Sequence, residues 1–340
     1  MLRLDRLDLA DLDWEGLDAL PDRVLGQTRE WLSFLAETQD AEPVVAALRE
    51  HATTVGYFTG LVFRRFGVRV LGSPFPGWTT PFIGFNLTAV HNAGSPLAAL
   101  ERFAFTELGC LHVELRNRSA LDTGNVSQGW EQASEPTLLL DLTPSEEELL
   151  AAMSSSRRRN IRQSERNGIQ VEQATDLAFA DDYYAQLRDV FAKQGLVPTY
   201  GVERVRALIR HLLPTGRLLL LRALSEDGRC VATGIYPAFN GLGQFWGGAS
   251  WRPDQHLRPN EAVMWHAIRY WKDRGVQTLD MGYGAAYKRA WGEPSEQDFP
   301  HLRRPRLRAL RQARALAKDA ILLSRRARGV VRSARVKSRA

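Results

Sequence analysis

Apolar positions between Asn260 and Gly275 recur at three-residue steps. Ala262, Trp265, Ile268 and Trp271 form one stripe, with Val263 and Ala267 beside it. This spacing predicts a helix with one apolar face, and Gly275 fits the left-handed residue that closes it. Val276–Met281 then reads as a short strand. Gly282 and Gly284 let the chain leave that strand through conformations closed to other residues. Asp280, Tyr283, Tyr287 and Lys288 are thereby expected at the carboxyl edge of a strand, where α/β sheets hold ligands.

The same reading predicts a helix over Gln27–Thr38, with Trp31, Phe34 and Leu35 on one face, and strands at Val44–Leu48, Gly56–Phe63 and Val68–Leu71. A helix over Leu97–Leu108 and a strand over Cys110–Leu115 follow. Residues 117–134, rich in Ser, Gly and Gln, read as a long loop before the strand Thr137–Leu142. Thr143 as cap, Pro144 at the first helical position and the acids after it start a helix over 145–153. The arginine-rich helix near 155–162 comes next, then a strand at Ile169–Glu172 and helices at Asp181–Gln194 and Val202–Leu213. Leu218–Leu224, Cys230–Phe239 and Gln244–Gly248 read as strands, the first two joined by the Glu226-Asp227-Gly228 turn. Strands and helices alternate through the chain, which makes the class mixed α/β. Residues 305–328 read as a basic helix with a ragged apolar side of Leu307, Leu310, Leu316, Ala317, Ala320 and Ile321.

Composition changes this picture in one respect. The 340 residues suffice for two domains, and 44% hydrophobic with 25% charged residues is ordinary for a globular protein. Charge, however, is polarised: residues 1–150 carry 11 basic and 22 acidic side chains, and residues 301–340 carry 14 and 1, within a total of +6. A tail this basic is expected to seek phosphate, on tRNA or on an anionic membrane surface. Two distant cysteines, Cys110 and Cys230, read as buried free thiols. Histidines and cysteines show no metal-ligand spacing. The acidic N-terminus and the lack of a long apolar run predict a cytoplasmic protein, peripheral at the inner membrane face.

Candidate chemistry gathers around Lys288. Acyl transfer to an amine passes through an oxyanion, and a fixed cation beside that oxygen lowers the barrier. Asp280 would orient Lys288 or accept a proton from the attacking amine; it would equally serve to cap the loop that follows. Tyr283 and Tyr287 would donate to the leaving oxygen or pack. Arg158 and Arg162, four apart, share a helical face and would hold a phosphate or carboxylate by forked hydrogen bonds, with Asn160 adding an amide contact. Trp246, next to Gly247 and Gly248, is the candidate pocket wall, and Asn260 the candidate contact at the helix start. No Gly-x-Ser-x-Gly motif and no reactive-cysteine context is present, so the residues suggest no serine or cysteine nucleophile.

Two motifs carry a family resemblance. Asp280-Met281-Gly282 with Tyr287-Lys288-Arg289-Ala290-Trp291-Gly292 resembles the Asp-x-Gly and (Phe/Tyr)-Lys-x-x-(Phe/Trp)-Gly signature of FemA/FemB/FemX-like peptidyltransferases and CelD-like acyltransferases, a branch of the GNAT superfamily. Upstream, Arg158-Arg159-Asn160-Ile161-Arg162 resembles the helix that opens the second domain of those enzymes. The resemblance is clear over residues 135–292, weaker over 25–134 and absent after about 300.

The resemblance implies tandem GNAT-like domains, each a mixed sheet flanked by helices, an N-terminal domain at 25–134 and a catalytic domain at 135–300; the residues themselves add an irregular acidic lead-in at 1–24 and a basic helical tail at 301–340 with a disordered end. It also implies an acyltransferase acting on an amine of a cell-envelope or polysaccharide precursor. Lys288 would be the charge-stabilising residue, with no permanent cofactor and no metal. The acyl donor would be a phosphate-bearing cosubstrate, either aminoacyl-tRNA or acyl-CoA. Ordinary CoA enzymes of the class carry a glycine-rich loop before their central helix, whose amides cradle pyrophosphate. Here that place, Asp254–Ala262, has no glycine, and Pro259 lacks an amide donor. The rival readings are a plain acyl-CoA-dependent N-acetyltransferase and a non-catalytic RNA- or membrane-binding protein.

Overall fold

In the computed structural model, residues 1–87, 96–119, 129–193, 195–283 and 286–307 are described. The described residues divide into two compact units, 1–136 with 298–307, and 137–297. The first unit holds strands β1 (Leu2–Arg6), β2 (Ala41–Glu50), β3 (Thr53–Arg65), β4 (Val68–Ser73), β5 (Gly84–Leu87), β6 (His112–Leu115) and β7 (Glu131–Ala133). The second holds β8 (Pro136–Asp141), β9 (Gln170–Gln173), β10 (Leu218–Leu224), β11 (Cys230–Phe239), β12 (Leu242–Gln244), β13 (Gly247–Ser250), β14 (Thr278–Asp280) and β15 (Ser295–Asp298). The last strand, β16 (His301–Pro305), returns to the first sheet.

The sheets run β1-β2-β3-β4-β6-β16-β7, with β5 on β3, and β15-β8-β14-β12-β11-β10-β9, with β13 on β11. Each is antiparallel apart from one parallel pair, β4 with β6 and β12 with β14. Both units are therefore mixed α/β. In the first, Val44, Ala46, Leu48, Phe58, Leu71 and Val113 of the sheet pack on Leu97, Leu100 and Phe103. In the second, Leu219, Leu221, Val231 and Tyr236 meet Val263, Met264, Ala267, Ile268 and Trp271 of helix Pro259–Lys272. That helix begins with Pro259 in its first turn, and Gly275 (φ +78°) turns the chain away beyond its end, as the apolar spacing predicts.

Several expected elements differ. The lead-in 1–24 is not irregular throughout: Leu2 and Leu4 are buried in edge strand β1, and Trp14–Asp18 is a helix capped by Asp13. The alternation there is short, Leu2 and Leu4 with Arg3 turned out between them, and does not stand out from the polar residues that follow. The helix after β8 starts at Glu146, not 145. Its cap is Ser145, which exchanges hydrogen bonds with Glu148, while Thr143 bonds to Asp141. A reciprocal Ser–Glu box satisfies two free amides where Thr143 would satisfy one. The expected strand Gln244–Gly248 is two pieces, β12 and β13. Residues 301–304, assigned to the tail, belong to β16, which takes in the Pro305 expected to begin a helix; the rest of that helix, from 308 onward, lies outside the described residues.

Candidate active site

The break between β12 and β13 builds the site. β12 pairs with β14 for three residues, Leu242↔Thr278, Gly243↔Leu279 and Gln244↔Asp280. The Phe245 amide then donates to the Asp280 carbonyl at 2.8 Å. Beyond this point the strands part. β13 stays on β11, Ile235↔Gly247 through Ala232↔Ser250. Met281 and Gly282 stay on β8, through Met281 N to Leu138 O at 2.8 Å and Leu138 N to Gly282 O at 3.2 Å. A wedge opens at the carboxyl end of two parallel strands, with the Phe245 ring at its apex.

Lys288 enters this wedge. Its Nζ donates to the carbonyls of Met281 and of Tyr283 (2.9 Å) and lies 5.8 Å from the Phe245 ring centroid. Gly282, at φ +73°, forms the turn beneath it. Burial pulls the Lys288 ammonium below its ordinary pKa, while the Asp280 carboxylate acts in the opposite sense. The ammonium is thus half-desolvated and anchored by two carbonyl oxygens, and its third hydrogen remains for a ligand.

Asp280 is buried and works as the loop cap. Its Oδ1 accepts from the Gly282 amide at 2.7 Å and from the Thr137 hydroxyl. Tyr283 touches Lys288 through its carbonyl, and its ring is 75% exposed. The Tyr287 ring centroid is 6.0 Å from Lys288 Nζ, and burial raises the pKa of its phenol.

The residue that ties the site together is Arg157, which the sequence reading passed over. Its Nη1 pairs with Glu261 at 2.7 Å, its Nη2 donates to the Tyr287 carbonyl at 3.0 Å, and its guanidinium stacks on the Trp291 ring at 4.5 Å. Asn160 also donates to Glu261, at 3.3 Å. Helix Ser155–Arg166, helix Pro259–Lys272 and the lysine segment are thereby clamped together. The signal was present in the sequence: Arg157 stands four residues before Ile161, the apolar residue that faces the core, so the two share a face.

Arg158 and Arg162 do not converge as expected. Arg158 Nη1 turns back to the carbonyls of Leu150, Ala151 and Met153, capping helix Glu146–Ala152. Arg162 is exposed. The pairing expected from a four-residue spacing loses to the carbonyls at the preceding helix end. Trp246 is buried, with its ring centroid 5.6 Å from Tyr200 and its indole N–H without a partner. Beside it, a Cβ on Gly247 would lie 2.4 Å from the Tyr183 hydroxyl, which explains the glycine. Asn260 is exposed and donates to the Ser250 hydroxyl at 2.9 Å.

The start of helix Pro259–Lys272 is a weak pyrophosphate cradle. Arg258 caps it in a left-handed conformation without a side-chain hydrogen bond, Pro259 supplies no amide, and the Glu261 carboxylate occupies the first turn. Among the described residues no group of His, Cys, Asp and Glu could hold a metal ion, and no helix is long and apolar enough to cross a membrane.

Comparison with known proteins places this geometry. Residues 155–289 match the family model described as an acetyltransferase (GNAT) domain. No curated protein matches the chain. Among solved structures, FemX superposes with a TM-score of 0.68 at 11% identity, over 88% of this chain and 96% of that one. A tandem GNAT protein from the clavulanic acid biosynthesis pathway gives 0.54 at 12%, over 90% and 99%. L-PGS from Bacillus licheniformis gives 0.50 at 12%, over 87% and 95%. The fold is that of tandem GNAT proteins, and residues 155–289 match a GNAT domain within it.

Proposed function

We propose that this GNAT acyltransferase moves an acyl or aminoacyl group onto an amine of a cell-envelope or polysaccharide precursor, by direct attack and with Lys288 as its charge-stabilising residue. One observation carries the reading: a half-buried ammonium, fixed by two carbonyls, stands in the wedge where two parallel strands part. The acceptor nitrogen attacks the donor carbonyl carbon, and the carbonyl oxygen takes the negative charge. The free hydrogen of Lys288 meets that oxygen. As the tetrahedral centre collapses, the bond to the leaving group breaks and the nitrogen gives up a proton to water or to the leaving oxygen or sulfur. In a partly dehydrated site, one such donor is worth about 3 kcal/mol of barrier.

Lys288 and its anchoring carbonyls, from Met281 and Tyr283, form the catalytic part in this reading. Arg157 positions the segment, and Tyr287 with Trp246 borders the acceptor. Arg162, on an exposed helix face, serves donor phosphate. Asp280 and Arg158 hold the scaffold. The donor is a phosphate-bearing cosubstrate. The weak cradle at Arg258–Glu261 favours aminoacyl-tRNA over acyl-CoA, because pyrophosphate recognition by helix amides needs the donors that Pro259 and Glu261 spoil. FemX and L-PGS resemble the chain in fold, which supports aminoacyl transfer in the envelope as the working class. This reading has the protein act in the cytoplasm, at the inner membrane face. The test is acyl transfer from labelled aminoacyl-tRNA and from acyl-CoA to envelope precursors. Turnover with the first donor supports the reading, turnover with acyl-CoA alone replaces it with the simpler N-acetyltransferase, and binding without turnover replaces it with the non-catalytic protein.

A further inference from the structure

Hairpin β3–β4 ends in an unusual turn. Its register, Arg64↔Arg69 and Arg65↔Val68, leaves a two-residue loop of Phe66 and Gly67, at φ +51° and +79°. Such turns favour Asn-Gly, and a bulky residue at positive φ is strained. The Phe66 ring is 71% exposed, with the Arg65 guanidinium 5.0 Å above it. The fold gains neither burial nor relaxed backbone from this residue. Strain combined with an exposed large ring points to a partner outside the chain.

Register brings a second feature to the same place. The Leu111 amide donates to the Arg69 carbonyl at 2.9 Å, and the Arg306 amide donates to the Leu111 carbonyl at 2.9 Å. The outer ends of β4, β6 and β16 therefore lie in one row, and the chain leaves the sheet from the end that carries the Phe66 tip. Arg306 and Leu307 are exposed there. Among the described residues, Arg64, Arg65 and Arg306 have no acidic partner. Acids near this end include Asp40 and Glu107, both exposed, Glu42, which Arg6 pairs at 2.6 Å, and Glu101, which Arg304 pairs at 2.6 Å. Past Leu307 the sequence continues for 33 residues with 11 basic side chains and one acid. Leu310, Leu316, Ile321, Leu322 and Leu323 are spread among them.

We propose that this end of the first sheet docks on an anionic phospholipid bilayer, with Phe66 as the apolar anchor and Arg64, Arg65 and Arg306 on the lipid phosphates. Charge complementarity selects an anionic partner. Leu307 selects a bilayer over RNA, since its aliphatic side chain offers no flat face for a base, whereas an interface accepts both an aromatic ring and an aliphatic chain.

The test is flotation of the full-length chain with vesicles of phosphatidylcholine alone and of phosphatidylcholine mixed with phosphatidylglycerol. The wild type is expected on the mixed vesicles only, with binding that weakens as salt rises. Phe66→Asn, which suits the turn better, is expected to keep the thermal midpoint or raise it and to weaken partitioning about tenfold. Arg64→Ala with Arg65→Ala is expected to weaken it about 30-fold. His51→Asn, at the β2–β3 turn on the opposite end of the sheet, is expected to change nothing. Equal binding to neutral vesicles, full binding by folded Phe66→Asn, or Phe66-dependent binding of a tRNA pool with no vesicle binding would each overturn the proposal.

Discussion

Arg157→Met tests the clamp that organises the site. Methionine keeps the reach of the side chain and removes its charge and its five donors. Three contacts go at once: the 2.7 Å pair with Glu261, the bond to the Tyr287 carbonyl and the stack on Trp291. Side-chain exposure at the pair is 11% and 13%, so the attraction is little screened by solvent. Stranding a buried carboxylate costs about 3–5 kcal/mol, and the lost cation–π contact about 1 kcal/mol. Glu261 retains the Asn160 amide, which brings the expected loss to about 3 kcal/mol. Urea unfolding reads this directly. A cycle with Glu261→Gln should return a coupling of about 2 kcal/mol. Amide exchange should also quicken at Trp291, whose N–H bonds to the Lys288 carbonyl at 3.2 Å. A loss below about 1 kcal/mol with no coupling would show that Arg157 does not hold the segment.

Four further outcomes follow from the same coordinates. Since burial lowers the Lys288 pKa, the ammonium is lost at a pH below the 10.5 of free lysine, and the pH–rate profile should fall on that alkaline side; Lys288→Arg should move the limb upward if it turns over at all. Burial pushes the Cys110 and Cys230 thiols up to about 11, so neither should react with a disulfide reagent at pH 8 until the chain is unfolded. Burial opposes the charge on His301, but the Glu114 and Glu135 carboxylates outweigh it and leave the pKa raised. Their contacts, 2.7 and 3.3 Å from its ring nitrogens, are ionic rather than well-directed hydrogen bonds. The first unit should therefore be most stabilised below pH ~6.5 and lose that contribution as pH rises through the folded value, and His301→Gln should flatten the slope in thermal midpoint. Gly247→Ala should cost about 1–3 kcal/mol, read by urea unfolding, because its Cβ meets the buried Tyr183 hydroxyl.

Where pattern and packing agree, the sequence was readable. Leu218–Leu224 and Cys230–Phe239 are strands with the expected bounds, because continuous apolar runs flank a Gly turn. The strand-to-loop passage at Asp280–Gly282 was readable from its glycine, and the structure puts Lys288 beside it. Other parts depend on contacts distant in sequence. β16 pairs with β6, about 190 residues away, and its Arg303 and Arg304 look like tail residues until Glu114 and Glu101 are brought opposite them. Likewise, three consecutive arginines look alike in sequence. Only the packing of Ile161 against the core decides that Arg157 faces the site, Arg158 a helix end and Arg159 the solvent. For Asp280 the sequence offers three roles, orienting Lys288, accepting a proton or capping the loop, and the Gly282 amide and Thr137 hydroxyl are the contacts that a cap makes.

The role of Lys288 is tested most directly by the turnover of Lys288→Ala with the donor that supports the wild type. The account predicts a fall of about 100- to 1,000-fold in kcat, with the circular dichroism spectrum retained. A variant that turns over at the wild-type rate would contradict it.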